Sequence, residues 1–122
     1  MTPPIETARV QPVFPPKPPP VERPLLTTEQ ATDLMRLFKV FANDTRLRLL
    51  HALIRAEEMC VTDLANAVGM KPQAVSNQLQ RLVDRDILAT RRNGTNIFYR
   101  INDPCVSLLL ERGLCLIECC PE

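Results

Sequence analysis

The chain has 122 residues, 45 % of them hydrophobic, and its 15 basic and 14 acidic side chains give a formal net charge of +1. This length suits one small domain with a tail rather than two domains. No apolar run approaches the roughly 20 residues of a membrane span, and the N-terminus lacks the apolar region of a secretory signal. A soluble, cytoplasmic protein that does not bind a membrane is therefore expected.

Cysteine usage points away from a disulfide-stabilised fold. The chain has five cysteines, and four of them lie within the last eighteen residues: Cys60 stands apart from Cys105, Cys115, Cys119 and Cys120. Small secreted domains instead use an even number of cysteines as a framework. Reduced thiols that are available for chemistry are the prediction.

The near-neutral net charge of the whole chain conceals a basic segment. Residues 71–100 contain six basic and two acidic side chains, whereas residues 101–122 have a net charge of −3. A localised positive segment is typical of a surface that faces phosphates, although it can also be a plain solvated face. Charge alone does not decide between the two.

The first 26 residues are predicted to form a tail. Nine of the twelve prolines fall in residues 1–24, where the shortage of backbone donors argues against helix and sheet and favours polyproline II. The tail is interpreted as a disordered extension, with a docking arm for a partner groove as the alternative. The domain is expected to span residues 27–120.

Two helices are predicted at the start of the domain. Thr27-x-x-Gln30 is a capping box that opens a helix over about 28–42. Asn43-Asp44 can cap a second helix that ends before Glu57. Both helices carry apolar residues at helical spacing, namely Leu34, Leu37, Phe38 and Phe41 in the first and Leu47, Leu50, Leu53 and Ile54 in the second.

A helix-turn-helix follows a short apolar segment around Cys60. Thr62 is the expected N-cap of a helix over 63–68 that stops at Gly69, and Pro72 is the expected first residue of a helix over 72–84. In this second helix the apolar positions Val75, Leu79 and Leu82 follow one another at i, i+4 and i+7. Two short helices joined by a tight glycine-containing turn are typical of this motif.

The remaining chain predicts a hairpin and a last helix. Asn93-Gly94 separates strand-like runs at 87–92 and 95–101, and we expect these two residues to be the central positions of a type I′ turn. Asp103-Pro104 should cap the last helix. Its apolar stripe is too long for a small domain to bury alone, so it should pair with another subunit: Val106, Leu109, Leu110, Leu114 and Ile117.

This order, α-α-α-α-β-β-α, predicts a mainly α fold with a small β-hairpin, the α+β winged helix-turn-helix. The major groove of DNA admits one helix, and the polar face of 72–84 offers amide and hydroxyl groups for base edges: Gln73, Ser76, Asn77 and Gln80. Basic side chains nearby suit phosphates: Lys71, Arg81, Arg91 and Arg92. The alternative is that this face is polar only because helices need a solvated side.

Several stretches together resemble the ArsR/SmtB family of bacterial repressors over about residues 30–110. They are 37–50, Cys60-Val61-Thr62-Asp63-Leu64-Ala65, 73–79, and Arg92-Asn93-Gly94-Thr95 leading to Tyr99-Arg100-Ile101. The resemblance implies a homodimer built by the first and last helices. It also implies a repressor, of the kind found in arsenic or heavy-metal resistance, that leaves its palindromic double-stranded operator when a metal, metalloid or other inducer binds.

The thiol site of the family is incomplete here, because Thr62 stands where the family's Cys-Val-Cys-Asp-Leu motif has its second cysteine. A soft-metal site must therefore use C-terminal cysteines. Ten residues separate Cys105 from Cys115, about 15 Å along one helix, so they cannot share an ion within one chain. Two sets are open: Cys60 with Cys105 and a third thiol across the dimer, or Cys115, Cys119 and Cys120.

Thiolates without histidine favour As(III), Cd(II), Pb(II), Hg(II) or Cu(I) as the inducer, with no organic cofactor. The structural alternative for Cys60, Cys105 and Cys115 is that they are small buried hydrophobic residues.

The sequence leaves three other functions to compare with a metal-responsive repressor. Cysteines that form a disulfide or persulfide would make the protein a redox or reactive-sulfur sensor of the same fold. An enzyme is not expected, because His51 is the sole histidine and no glycine-rich phosphate loop exists. A protein–protein adaptor that uses the proline-rich tail and the last helix would show no salt-sensitive DNA binding.

Overall fold

The computed structural model describes residues 18–118, which contain five α-helices and three β-strands. In chain order they are α1 Thr28–Phe41, α2 Asp44–Ala56, β1 Met59–Cys60, α3 Val61–Val68, α4 Pro72–Asp84, β2 Leu88–Asn93, β3 Asn96–Ile101 and α5 Cys105–Glu118. The described residues divide into two units, and the boundary between Arg36 and Leu37 lies inside α1. The predicted winged helix-turn-helix is confirmed, with β1 as one additional strand.

The first two helices begin where the capping residues predict. The backbone N–H of Thr27 donates to Gln30 Oε1 at 3.0 Å, and the N–H of Gln30 donates to Thr27 Oγ1 at 3.1 Å, which is a reciprocal capping box. At the start of α2, Asn43 Oδ1 accepts from the N–H of Arg46 at 3.0 Å. Both caps satisfy backbone donors that have no partner within the helix.

The tail is more ordered at its end than the proline content predicts. Pro20–Glu22 forms one 3₁₀ turn, in which the N–H groups of Glu22 and Arg23 donate to the carbonyls of Pro19 and Pro20 at 2.9 and 3.1 Å. The expectation of no helix in residues 1–24 is therefore wrong at this point. Prolines lack donors but keep carbonyl acceptors, and the following residues supply the N–H groups. The rest of that expectation, over 1–17, lies outside the described residues.

The helix-turn-helix differs from the prediction at one end. The N-cap of α3 is Cys60, in extended backbone, and the helix starts at Val61, so the expected cap at Thr62 is wrong. Since Met59 and Cys60 pair with β3, the strand fixes where the helix can begin. At the other end Gly69 has φ +69° and its N–H donates to Ala65 O, the predicted left-handed stop.

The three strands form an antiparallel sheet in the order β1-β3-β2. Asn93 pairs with Asn96, so the central residues of the hairpin turn are Gly94 and Thr95, and the expected Asn93-Gly94 centre is wrong by one position. Gly94 has φ +68°, while Thr95 has no positive φ. A positive φ at the first central residue alone is the pattern of a type II′ turn, which glycine favours.

The core lies among α2, α3 and α4, with contributions from the sheet. Its buried side chains include Leu49, Leu50, Leu53, Leu64, Ala65, Val68, Val75, Leu79, Leu82, Ile87, Leu88 and Tyr99. Of α5, only Val106 is buried, whereas Leu116 and Ile117 are 80 % and 76 % exposed. Within residues 18–118, no helix is both long and apolar enough to cross a membrane.

Candidate nucleic-acid interface and thiol groups

Helix α4 separates an apolar face from a polar one. Val75, Leu79 and Leu82 are fully buried against the core. The opposite side carries the side chains that the sequence predicts for DNA: Gln73, Asn77, Gln80 and Arg81 are exposed, and Ser76 is half-buried. Lys71 is exposed at the N-cap position of the same helix. The structure thus brings six of the eight predicted DNA-binding residues together on one helix.

Two hydrogen bonds order the amides on this face. Gln73 Nε2 donates to Asn77 Oδ1 at 3.3 Å, and Gln80 Nε2 donates to Asp84 Oδ1 at 2.8 Å, both between residues one helical turn apart. The bond between Gln73 and Asn77 uses only part of the hydrogen-bonding capacity of the two amides. It leaves the Gln73 side-chain oxygen and the Asn77 side-chain nitrogen for other partners. The Gln73 and Asn77 side chains therefore offer an acceptor and a donor side by side.

The other two predicted residues lie on β2 of the hairpin and differ from each other. Arg91 forms a bidentate ion pair with Glu58, with Nε and Nη2 at 2.9 and 2.7 Å from its two carboxylate oxygens. The guanidinium carbon of Arg91 also lies 4.9 Å from the centre of the Phe98 ring. Arg92 is exposed and forms no ion pair within residues 18–118.

The ion pair changes the titration of Glu58. The hydrogen bond from Arg91 lowers the pKa of the Glu58 carboxyl below its ordinary value, because it stabilises the charged form. The same contact raises the pKa of Arg91. Sequence reasoning missed Glu58, since only the register that sets β1 beside β3 brings it near the hairpin.

Sequence reasoning also missed two arginines of α2. Arg46 Nε donates to Gln78 Oε1 of α4 at 2.8 Å, and its Nη1 donates to the carbonyl of Val40 in α1 at 2.8 Å. Arg48 Nη1 donates to the carbonyl of Val68 at the end of α3 at 3.1 Å. Nothing in the local sequence indicates these contacts, because their partners lie up to 32 positions away.

The thiols fall into separate regions. Cys60 is a free, half-buried thiol on β1, opposite Phe98 of β3. Cys105 and Cys115 are exposed on α5, and Cys119 and Cys120 lie outside the described residues. The segment that carries Cys60 thus pairs with the hairpin.

The register places Cys60 away from the end of β3. Cys60 is opposite Phe98, three residues before the end of β3 and hence about 10 Å from that end along the strand. The N-terminus of α5 comes after the end of β3, where the Asp103 carboxylate accepts from the N–H of Cys105 at 2.8 Å. Among residues 18–118, no three His, Cys, Asp or Glu side chains are grouped as a metal site requires.

An open pocket of about 230 Å³ lies beside the first turn of α5. Its walls come from the end of α1, the loop after α4 and the start of α5: Leu37, Phe41, Arg85, Asp86, Ile87, Asp103, Cys105, Val106 and Leu109. Cys105 therefore lines a mainly apolar pocket together with three charged residues, Arg85, Asp86 and Asp103.

A glycine turn sets α4 with its amides outward, and an arginine-bearing hairpin follows it in the same domain. This arrangement defines a winged-helix DNA-binding protein. A helix-turn-helix domain family model matches residues 41–91, which agrees with that class.

The chain belongs to the ArsR/SmtB family of transcriptional regulators, a family of DNA-binding proteins rather than enzymes. A crystal structure of the AntR antimony-specific transcriptional repressor is 64 % identical, with a TM-score of 0.74, and the match covers 87 % of this chain and 96 % of that one.

Two further comparisons agree with this assignment. A transcriptional repressor SmtB homolog of Synechocystis is 37 % identical over 83 residues, and the match covers 68 % of this chain but only 62 % of that repressor. A homodimeric winged helix-turn-helix domain from Mycobacterium bovis, a possible ArsR-family regulator, is 29 % identical with a TM-score of 0.65. That match covers 79 % of this chain and 91 % of the domain.

Proposed function

We propose that this protein is a homodimeric repressor that binds a pseudo-palindromic operator and releases it when a thiophilic metalloid binds to its cysteines. The observation that carries the proposal is the two-sided character of α4. Its apolar side is fixed in the core, and its amide-bearing side is exposed next to a glycine turn and in the same domain as a basic hairpin. A solvated helix face alone would not need those neighbours.

In this proposal α4 enters the major groove. Asn77 and Gln73, which together present a donor and an acceptor, suit the N6 and N7 groups of adenine, and Ser76 and Gln80 contact neighbouring bases. Lys71, Arg81 and Arg92 contact phosphates and supply salt-dependent affinity rather than sequence choice. Arg91 adds less to this affinity, because Glu58 already neutralises it. A dimer would then read two half-sites about one helical turn apart.

Exposed apolar side chains support a dimer. In α5, Leu108, Leu114, Leu116 and Ile117 are all exposed. In α1, Phe38 is 48 % exposed. Apolar side chains clustered on one helix are costly to leave in water and mark an interface. The homodimeric relative from Mycobacterium bovis supports the same assembly.

The inducer we propose is trivalent antimony or arsenic, held by thiolates of α5. Soft thiolate ligands suit such ions, and the AntR relative is antimony-specific. Cys105 lies five positions before residue 110 and Cys115 lies five positions after it. Two α5 helices that packed antiparallel about that residue would bring Cys105 near Cys115 of the partner subunit. Cys119 or Cys120 would supply the third thiolate.

Fluorescence anisotropy tests the proposal. A duplex selected from a random library by the metal-free, reduced protein serves as the operator. It is then titrated with Sb(III), As(III), Cd(II), Pb(II), Hg(II) and Cu(I), and in a parallel series with an oxidant under anaerobic control. We expect release by Sb(III) or As(III) from the reduced protein. Release only by the oxidant would contradict the proposal and support the redox sensor of the same fold.

Serine variants of single cysteines locate the site. We expect Cys105→Ser and Cys115→Ser to keep operator affinity and lose the response to the metalloid. Cys60→Ser is the matched control, because its thiol lies on β1 and we expect it to respond like wild type. Loss of response in Cys60→Ser would instead support the Cys60 and Cys105 pair. If no ion releases DNA from the wild-type protein, metalloid regulation is refuted.

A further inference from the structure

Arg46 connects three helices through a single side chain. Its Nε donates to Gln78 Oε1 in the middle of α4, its Nη1 donates to the Val40 carbonyl in the last turn of α1, and its own N–H donates to the α2 cap at Asn43. The two side-chain contacts are both 2.8 Å, a normal length for charge-assisted hydrogen bonds.

The partners of Arg46 place it between two functional elements. Gln78 lies directly after Asn77, one of the proposed base-reading residues, and directly before the buried Leu79. Val40 is two residues from Phe38, an exposed apolar side chain that the proposed dimer would cover. The carbonyls in the last turn of α1 also carry the negative end of its dipole, which favours a cationic partner there.

We propose that Arg46 is a positioning residue that couples the end of α1 to the recognition helix α4, so that a change at the dimer interface alters how α4 meets the operator. This inference rests on the proposed function. Arg46 itself contacts no DNA in the proposal. It holds Gln78, and thereby the rotation of α4, relative to the turn of α1 that carries Phe38.

Geometry distinguishes Arg46 from its neighbour Arg48. Within residues 18–118, the Arg48 side chain donates only to the Val68 carbonyl at the end of α3 and makes no hydrogen bond to α1 or α4. Both arginines lie on α2, two positions apart, and each makes a long-range hydrogen bond to a half-buried or buried partner. Arg48→Ala is therefore a matched control. It removes an arginine of α2 that makes a long-range hydrogen bond but does not connect α1 with α4.

The test compares operator affinity with and without Sb(III) in wild type, Arg46→Ala, Gln78→Ala, the double variant and Arg48→Ala. Coupling between two sites in one protein is typically 5- to 150-fold, so the ratio of the two affinities is measurable. For Arg46→Ala we expect the operator affinity without Sb(III) to fall roughly tenfold, toward the affinity with Sb(III). The ratio of the affinity without Sb(III) to the affinity with Sb(III) then falls by the same factor. Arg48→Ala should keep the wild-type ratio.

Gln78→Ala keeps the inference testable if Arg46→Ala does not fold, which circular dichroism and thermal unfolding will show. Because the two residues act through one contact, the double variant should resemble the single ones rather than add to them. Equal losses of affinity with and without Sb(III) in Arg46→Ala and Gln78→Ala would overturn the inference and assign Arg46 a purely structural role. If wild type itself keeps its operator under Sb(III), the proposed function fails and the inference falls with it.

Discussion

The two hairpin arginines should contribute differently to the salt dependence of operator binding. Glu58 already neutralises Arg91 through two hydrogen bonds, whereas Arg92 forms no ion pair in the described part of the chain. We therefore compare Arg92→Gln, Arg91→Gln and Glu58→Gln. Glutamine keeps polarity and most of the length of arginine while removing the charge.

The magnitude follows from counterion release. Each phosphate contact lowers log K by about 0.9 for each tenfold rise in salt, and a dimer carries two hairpins, so Arg92→Gln should reduce the slope by about 1.8. Between 50 and 200 mM salt that difference amounts to about a 12-fold change in relative affinity. Arg91→Gln should change the slope by less than half as much. Glu58→Gln should steepen it, because the charge of Arg91 is then no longer offset.

The assay is fluorescence anisotropy of the selected operator at four or more salt concentrations, with circular dichroism to confirm that each variant folds. Arg23→Gln, at the end of the tail, controls for the loss of a positive charge that is not part of the hairpin. If Arg91→Gln flattens the slope as much as Arg92→Gln does, then Arg91 exchanges Glu58 for a phosphate on binding and the assigned difference is refuted.

Three further predictions concern stability. The pKa of Glu58 is lowered in the folded state, so the ion pair of Glu58 with Arg91 stabilises the fold above the unfolded-state pKa, and this stabilisation is lost as pH falls through the folded-state pKa. The difference in melting temperature between wild type and Glu58→Gln should therefore disappear on acidification. A difference that persists would contradict the linkage. Leu79→Ala removes a fully buried side chain of α4 and should cost about 2–5 kcal/mol in urea unfolding, against less than about 0.5 kcal/mol for exposed Gln80→Ala. Asn43→Ala removes the cap of α2 and should cost about 1 kcal/mol, while the matched change at exposed Asn66 should cost less than half of that.

Local signals in the sequence were sufficient for most of the fold. The capping box at Thr27, the cap at Asn43, Gly69 and Pro72 each act within a few residues, and the structure shows each of them where the sequence predicts. Spacing of apolar residues also predicted which side of α4 is buried. Such features depend on backbone chemistry that a short segment determines by itself.

Features that depend on tertiary pairing were predicted less well. The start of α3 at Val61 follows from strand pairing of Cys60, and the shift of the turn to Gly94 and Thr95 follows from the register of β2 with β3. The contact of Arg46 with Gln78 joins residues 32 positions apart, and no local pattern indicates it. The proposed base-reading residues of α4 were predicted as a group because they share one helix. Two thiol sets stayed open, since Cys60 lies on β1 whereas Cys105 and Cys115 lie on α5.

The most direct test of the central claim, that the outward face of α4 reads DNA, is the affinity of Asn77→Ala and Gln73→Ala for the selected operator relative to a scrambled duplex of equal length. We predict that both variants lose most of this discrimination, about 1–3 kcal/mol for each base pair whose contact is removed, and keep the salt-dependent binding to the scrambled duplex. Wild-type discrimination in both variants would show that α4 does not read the operator.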